Sequence, residues 1–160
     1  MSILAYNGCA VIAMTGKDCV AIASDLRFGV QQTTQATDFK KVFKVHDKLY
    51  VGLAGLGTDV QTLHHRFNFR HNLYKLREER DMKPSTFANL VSAMLYEKRF
   101  GPYFCESVIA GLEPETNEPF ITGMDLLGAM APASDFVVRT YAASCRTHTT
   151  TTTREMLSYI

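Results

Sequence analysis

The chain has 160 residues, room for one domain with a real core but not comfortably for two. Hydrophobic residues make up 46% and charged residues 21%, an ordinary globular balance. With 17 basic and 16 acidic side chains the net charge is +1, which excludes a broad field for nucleic acid or an anionic membrane.

Residues 1–7 carry neither a basic leader nor a long apolar stretch, and no apolar run approaches the length that crosses a bilayer. Residues 9–14 (CAVIAM) and 19–24 (CVAIAS) are short apolar runs separated by TGKD, which predicts a β-hairpin with Gly16 in the turn. They are apolar at nearly every position, so both faces are expected to be covered, in a layered fold. A polar stretch, 31–38, precedes a second pair of strands at 42–45 and 49–53, joined through His46, Asp47 and Lys48.

Two helices are predicted next. The first opens at a capping box formed by Thr58 and Gln61 and runs to about residue 79, with Val60, Leu63, Phe67 and Tyr74 as its buried stripe. The second follows Pro84 and Ser85; Phe87, Leu90, Val91, Met94 and Leu95 fall at helical spacing, and Gly101 and Pro102 end it. Strands resume at 107–112 and 120–124 around a turn at 113–119, with another at 135–138. Four strands, two helices and three strands, joined mainly by hairpins, indicate an α+β fold with sheets packed against helices. The one low-complexity stretch is the threonine run at 149–153.

Cys9, Cys19, Cys105 and Cys145 form no CxxC pair or metal-finger spacing; Cys9 and Cys19 read as small buried hydrophobes in a reducing, intracellular setting. The glycines at 52, 55 and 57 follow GxxGxG rather than the dinucleotide pattern, so tight strand-to-helix packing is expected there in place of a nucleotide site. His64 and His65 are adjacent on the first helix and so lie on different faces; together with His71 they read as a solvated or interface helix, not a metal site. Arg66 and Arg70, like charges one turn apart, face either solvent or an acidic partner. No cofactor and no metal is expected.

Asp25 closes the second strand in AIASDLRFG, and Lys41 opens the third in DFKKVFKVHDKLYVGLAGLGTDV. An apolar hairpin ending in Ala-Ser-Asp-x-Arg, a lysine sixteen residues on and a Gly-rich strand-to-helix turn resemble the N-terminal half of proteasome β subunits. The strings MSILAYNG, NLYKLREERDMKPSTF, LYEKRFGPYF, VIAGLEPET and PFITGMDLLG sharpen the resemblance to the type-3 branch of that family, over about residues 1–138. It implies the four-layer αββα sandwich of N-terminal nucleophile hydrolases across 1–138, followed by a divergent Thr-rich tail at 139–160. The second helix layer would be incomplete, which leaves one sheet with an open apolar face.

Active members of that family expose an N-terminal threonine after processing. Its hydroxyl attacks the peptide carbonyl with its own α-amine as base, supported by an aspartate and a lysine. The resemblance puts the nucleophile position at residue 9, which here is Cys9, while Asp25 and Lys41 match the supporting pair. The implied reading is a vestigial position with no catalytic residue, in a non-catalytic structural subunit of the proteasome core particle. Its place would be the β ring, within stacked seven-membered rings of other α and β subunits, in ATP- and ubiquitin-dependent protein degradation in cytoplasm and nucleus. The alternative is cleavage at Gly8–Cys9 and peptidase activity from a Cys9 thiol whose pKa Lys41 lowers. An unassembled fragment and a small nucleotide-binding protein at 52–57 are the further rivals.

Overall fold

The computed structural model describes Ile3 and residues 6–141. The expected first hairpin forms from β1 (Cys9–Gly16) and β2 (Cys19–Ser24). Asp18 takes the positive φ of its turn, 56°, which a short polar side chain tolerates. The polar stretch that follows forms a small hairpin of its own, β3 (Phe28–Val30) with β4 (Thr33–Ala36), turning at Gln31 with φ 54°. Paired threonines suit a pleated strand, which polarity alone concealed. Next come β5 (Val42–His46), β6 (Leu49–Gly55), α1 (Gly57–Glu78), α2 (Pro84–Glu97), β7 (Cys105–Leu112), β8 (Pro119–Met124), β9 (Met130–Ala133) and β10 (Phe136–Tyr141).

Both helices differ from expectation at their ends. The cap position of α1 is Leu56, whose side chain has no acceptor, so the Thr58–Gln61 box does not form and Thr58 lies inside the helix. The buried stripe is Val60, Leu63, Phe67 and His71, while Tyr74 is half-buried. Pro84 opens α2, where its fixed φ suits the first turn and its missing N–H costs nothing. That helix ends at Glu97, before Gly101, with Lys98 and Arg99 donating to Leu95 O and Tyr96 O in a tightened last turn. Beyond this point the chain leaves the core, and Phe100 is 93% exposed.

Three layers stack among the described residues. A five-stranded antiparallel sheet, ordered β5-β6-β7-β8-β9, lies in the middle. Its one face packs under α1 and α2 through Leu49, Val51, Leu53, Ile109 and Met124 against Phe67, Phe87 and Val91. Its other face meets a three-stranded sheet, β10-β1-β2, through Val108, Ala110 and Ile121 against Val11, Ala13, Val20 and Val137. Being covered on both sides explains why β6 and β7 read as continuous apolar runs. Fully burying Phe67 and Phe87 contributes about 3 kcal/mol apiece to the helix-facing core.

The first hairpin, by contrast, is covered on one face only. Among the described residues nothing packs on the outer side of β10-β1-β2, where Met14, Phe136 and Val138 are exposed. Cys19 is exposed on this hairpin as well, correcting its reading as a buried strand residue. Cys145 and the threonine run lie outside the described residues, and β10 continues past residue 138 to pair Tyr141 with Cys9.

Candidate functional site

Cys9 begins β1 beside the end of β6. Its Sγ accepts the Gly55 N–H at 2.8 Å, with the Gly55 carbonyl 3.8 Å away, and the residue is 7% exposed. Gly55 has φ +150°, and a Cβ there would strike the Phe104 carbonyl, so only glycine brings this N–H to the sulfur.

Asp25, one residue past β2, faces the same corner. Its Oδ1 accepts the Ala10 N–H at 2.9 Å, and its Oδ2 accepts the Arg27 N–H at 3.2 Å. Lys41, 3% exposed, precedes β5 and sends Nζ to Asp25 Oδ2 at 2.6 Å, Asp25 O at 3.1 Å and Arg27 O at 2.7 Å. An ammonium has three protons, and these three acceptors take them. The structure thus brings Asp25 and Lys41 together as an ion pair, but aims the lysine's donors at the aspartate and the backbone beside it.

The electrostatics of Cys9 follow from burial. Loss of water pushes its thiol up to about 11, outweighing the opposing pull of Lys41 and the Gly55 N–H. With Gly8 and Cys9 joined, the pull of Lys41 is smaller than the effect of burial. At pH 7 the thiol is therefore protonated. Burial raises Cys105, which faces Gly55 across the β6–β7 ladder, well above the ordinary thiol value.

Asn7 and Arg27 were not among the sequence candidates. Asn7 Oδ1 accepts the Gly57 N–H at 2.9 Å, Nδ2 donates to Gly29 O at 2.8 Å, and the Arg27 guanidinium reaches Asn7 O at 3.4 Å. The only local signal was an Asn-Gly pair before an apolar run, which reads as a turn. With its first N–H engaged by Asn7, and a virtual Gly57 Cβ meeting the Phe28 ring, the 52–57 segment is strand-to-helix packing, as its spacing suggested.

The histidines of α1 separate. His64 stacks on Phe43 with centroids 4.0 Å apart, and His65 is exposed. His71 is buried against His46 at 5.7 Å, which corrects its reading as solvated. Among the described residues no His, Cys, Asp and Glu side chains group as a metal site, and no helix is long and apolar enough to cross a membrane.

The family model described as "Proteasome subunit" matches residues 5–154. A proteasome subunit beta type-3 of Oryza sativa subsp. japonica is 70% identical over 138 residues, covering 86% of this chain and 67% of the relative. Its counterpart from Picea mariana is 67% identical over 143 residues, covering 89% and 70%. The beta type-3 subunit of Dictyostelium discoideum is 63% identical over 138 residues, covering 86% and 67%. The matched segment spans about two thirds of the length of these relatives.

Proposed function

The chain belongs to the proteasome subunit family, and we propose that within it this is a non-catalytic structural subunit of the β ring. It assembles with other proteasome subunits in protein degradation; the stacked seven-membered geometry of α and β rings and a cytoplasmic and nuclear location complete the proposed reading. Free thiols at Cys9, Cys19 and Cys105 suit a reducing compartment.

The observation that carries the non-catalytic reading is the state of the nucleophile position. Cys9 is a buried residue held protonated by desolvation, and Lys41 beside it has its protons engaged elsewhere. A nucleophile needs an accessible attacking atom, and the Cys9 sulfur is buried against Gly55. Architecture is then what the fold offers: two stacked sheets and a helix pair whose outer faces bear mixed polar and apolar side chains.

A second reading draws on one contact: the Gly55 N–H, 2.8 Å from Sγ, is a donor placed beside the position that a nucleophile would occupy. One measurement separates the two. The chain is recovered from native proteasome complexes, its intact mass is determined, and the particle is assayed with a Cys9→Ala subunit. Retention of residues 1–8 and unchanged peptide hydrolysis are expected. Loss of those residues together with hydrolysis that depends on Cys9 would establish the peptidase, and absence from every ring-sized complex would sink the ring assignment.

A further inference from the structure

The helix α1 begins without a local cap. Leu56 has no side-chain acceptor, and the first intrahelical bond is Val60 N–H to Leu56 O at 3.0 Å. Unpaired N–H groups of a first turn need an acceptor, ordinarily a Ser, Thr, Asp or Asn at the cap. The acceptor here comes from fifty residues earlier in the chain: Asn7 Oδ1 takes the Gly57 N–H at 2.9 Å.

The same side chain reaches the other way. Asn7 Nδ2 donates to Gly29 O in β3, the Tyr6 carbonyl accepts the Gln31 N–H at 3.0 Å, and Arg27 touches the Asn7 carbonyl. Asn7 is 7% exposed, so both ends of its amide are satisfied inside the protein. Gly8, with φ 59°, turns the chain from Asn7 into β1. Arg27 links this clasp to the ion pair, because its carbonyl also receives Lys41.

We propose that Asn7 is the cap of α1, and that residues 6–8 thereby act as a strap joining β3 to the helix beside Cys9. Cutting Gly8–Cys9 would strip the first turn of α1 of its acceptor and free the contacts to β3 in one event. The segment is therefore a positioning element for α1. Every partner lies within the chain, so this inference does not depend on ring assembly and is tested without it.

The experiment follows amide hydrogen exchange by NMR in the full chain carrying Asn7→Ala or Asn7→Asp. Asn7→Ala is expected to speed exchange at Gly57 and Val60 about fivefold, as loss of a cap does, while α2 and β7 keep their rates. Asn7→Asp keeps an acceptor at the positive end of the helix but loses the donor to Gly29, so α1 should stay protected while residues 6–8 loosen. Unchanged exchange at Gly57 and Val60 in Asn7→Ala overturns the proposal, as does equal acceleration throughout the chain. Should Asn7→Ala fail to fold, the aspartate variant decides: faster exchange at Gly57 overturns the capping role, and preserved protection upholds it.

Discussion

Lys41 is ion-paired to Asp25 and has almost no water around it. A buried cation deprived of its partner is costly, so Asp25→Ala should lower stability by about 3 kcal/mol, somewhat below a fully buried pair because the carboxylate is 32% exposed. Urea unfolding would register this as a lower midpoint at unchanged slope, and a midpoint within error of the parent chain would refute it. Removing both charges in Asp25→Asn with Lys41→Met should recover part of the loss. The cysteines offer a second test at this scale. Of Cys9, Cys19 and Cys105, only the exposed Cys19 should be alkylated within minutes at pH 7.5, because burial holds the other two protonated and shields them. Peptide mapping that found Cys9 labelled as fast as Cys19 would remove the premise that the nucleophile position is inert.

At the scale of the elements, α1 is tied to its surroundings by side chains that its amphipathic pattern does not announce. His71 packs on His46, whose Nε2 lies 2.9 Å from Met82 O and whose Nδ1 accepts the Lys48 N–H at 3.2 Å. Burial lowers the His71 pKa below 6.5, His46 and Lys75 add to this, and Asp81, 3.8 Å away, opposes it. A histidine kept neutral by the fold supports stability fully above its unfolded value near 6.5; that support is lost as pH falls through the lower folded value. Melting temperature should therefore drop between pH 7.5 and 5.5, and His71→Phe, which keeps a ring against His46, should flatten that slope. Equal slopes for the two proteins would dismiss the role of His71. The β6–α1 junction gives a sharper outcome. Gly55→Ala combines a φ of +150° with a collision against the Phe104 carbonyl and should cost about 3 kcal/mol, read as a shift in thermal midpoint. Most strands and the α2 face were legible in the sequence because short apolar runs between turn residues and a 3.6-residue period are local. The end of α2 was not: the helix closes at Glu97 in a tightened turn through Lys98 and Arg99, short of the Gly101–Pro102 pair that its sequence offers as a stop.

At the scale of the molecule, the side of the three-stranded sheet left open among the described residues dominates. On its outer face Val138 pairs with Ile12 and Phe136 with Met14, flanked by Ala21 and Ala23. None of these side chains is charged, and Phe136 is 62% exposed. An uncharged apolar face of this kind favours association. The isolated chain should self-associate as concentration rises, and the double substitution Phe136→Ser with Val138→Thr should shift it towards monomer. Sedimentation velocity would show both effects; a parent chain that stays monomeric throughout would refute the first. An open sheet was expected from the point at which the resemblance stops, whereas the same strands, read by composition alone, suggested cover on both faces. Apolar composition reports what a strand can bury, not whether a neighbour is there to bury it.

The sequence by itself determined both helices and most of the strands, though not the β3–β4 hairpin or β9, together with the α+β class, the family and the positions of Cys9, Asp25 and Lys41 in the family's pattern. Those features rest on short-range periodicity and on residue strings that survive without coordinates. Only the tertiary structure decided what these residues do to one another. Lys41 directs its protons to Asp25 and the Arg27 carbonyl, burial outweighs that lysine at Cys9, and Asn7 caps a helix fifty residues away. Each depends on which donor meets which acceptor after distant segments have packed, and on how much water that packing removes. Neither is written in the spacing of residues along the chain.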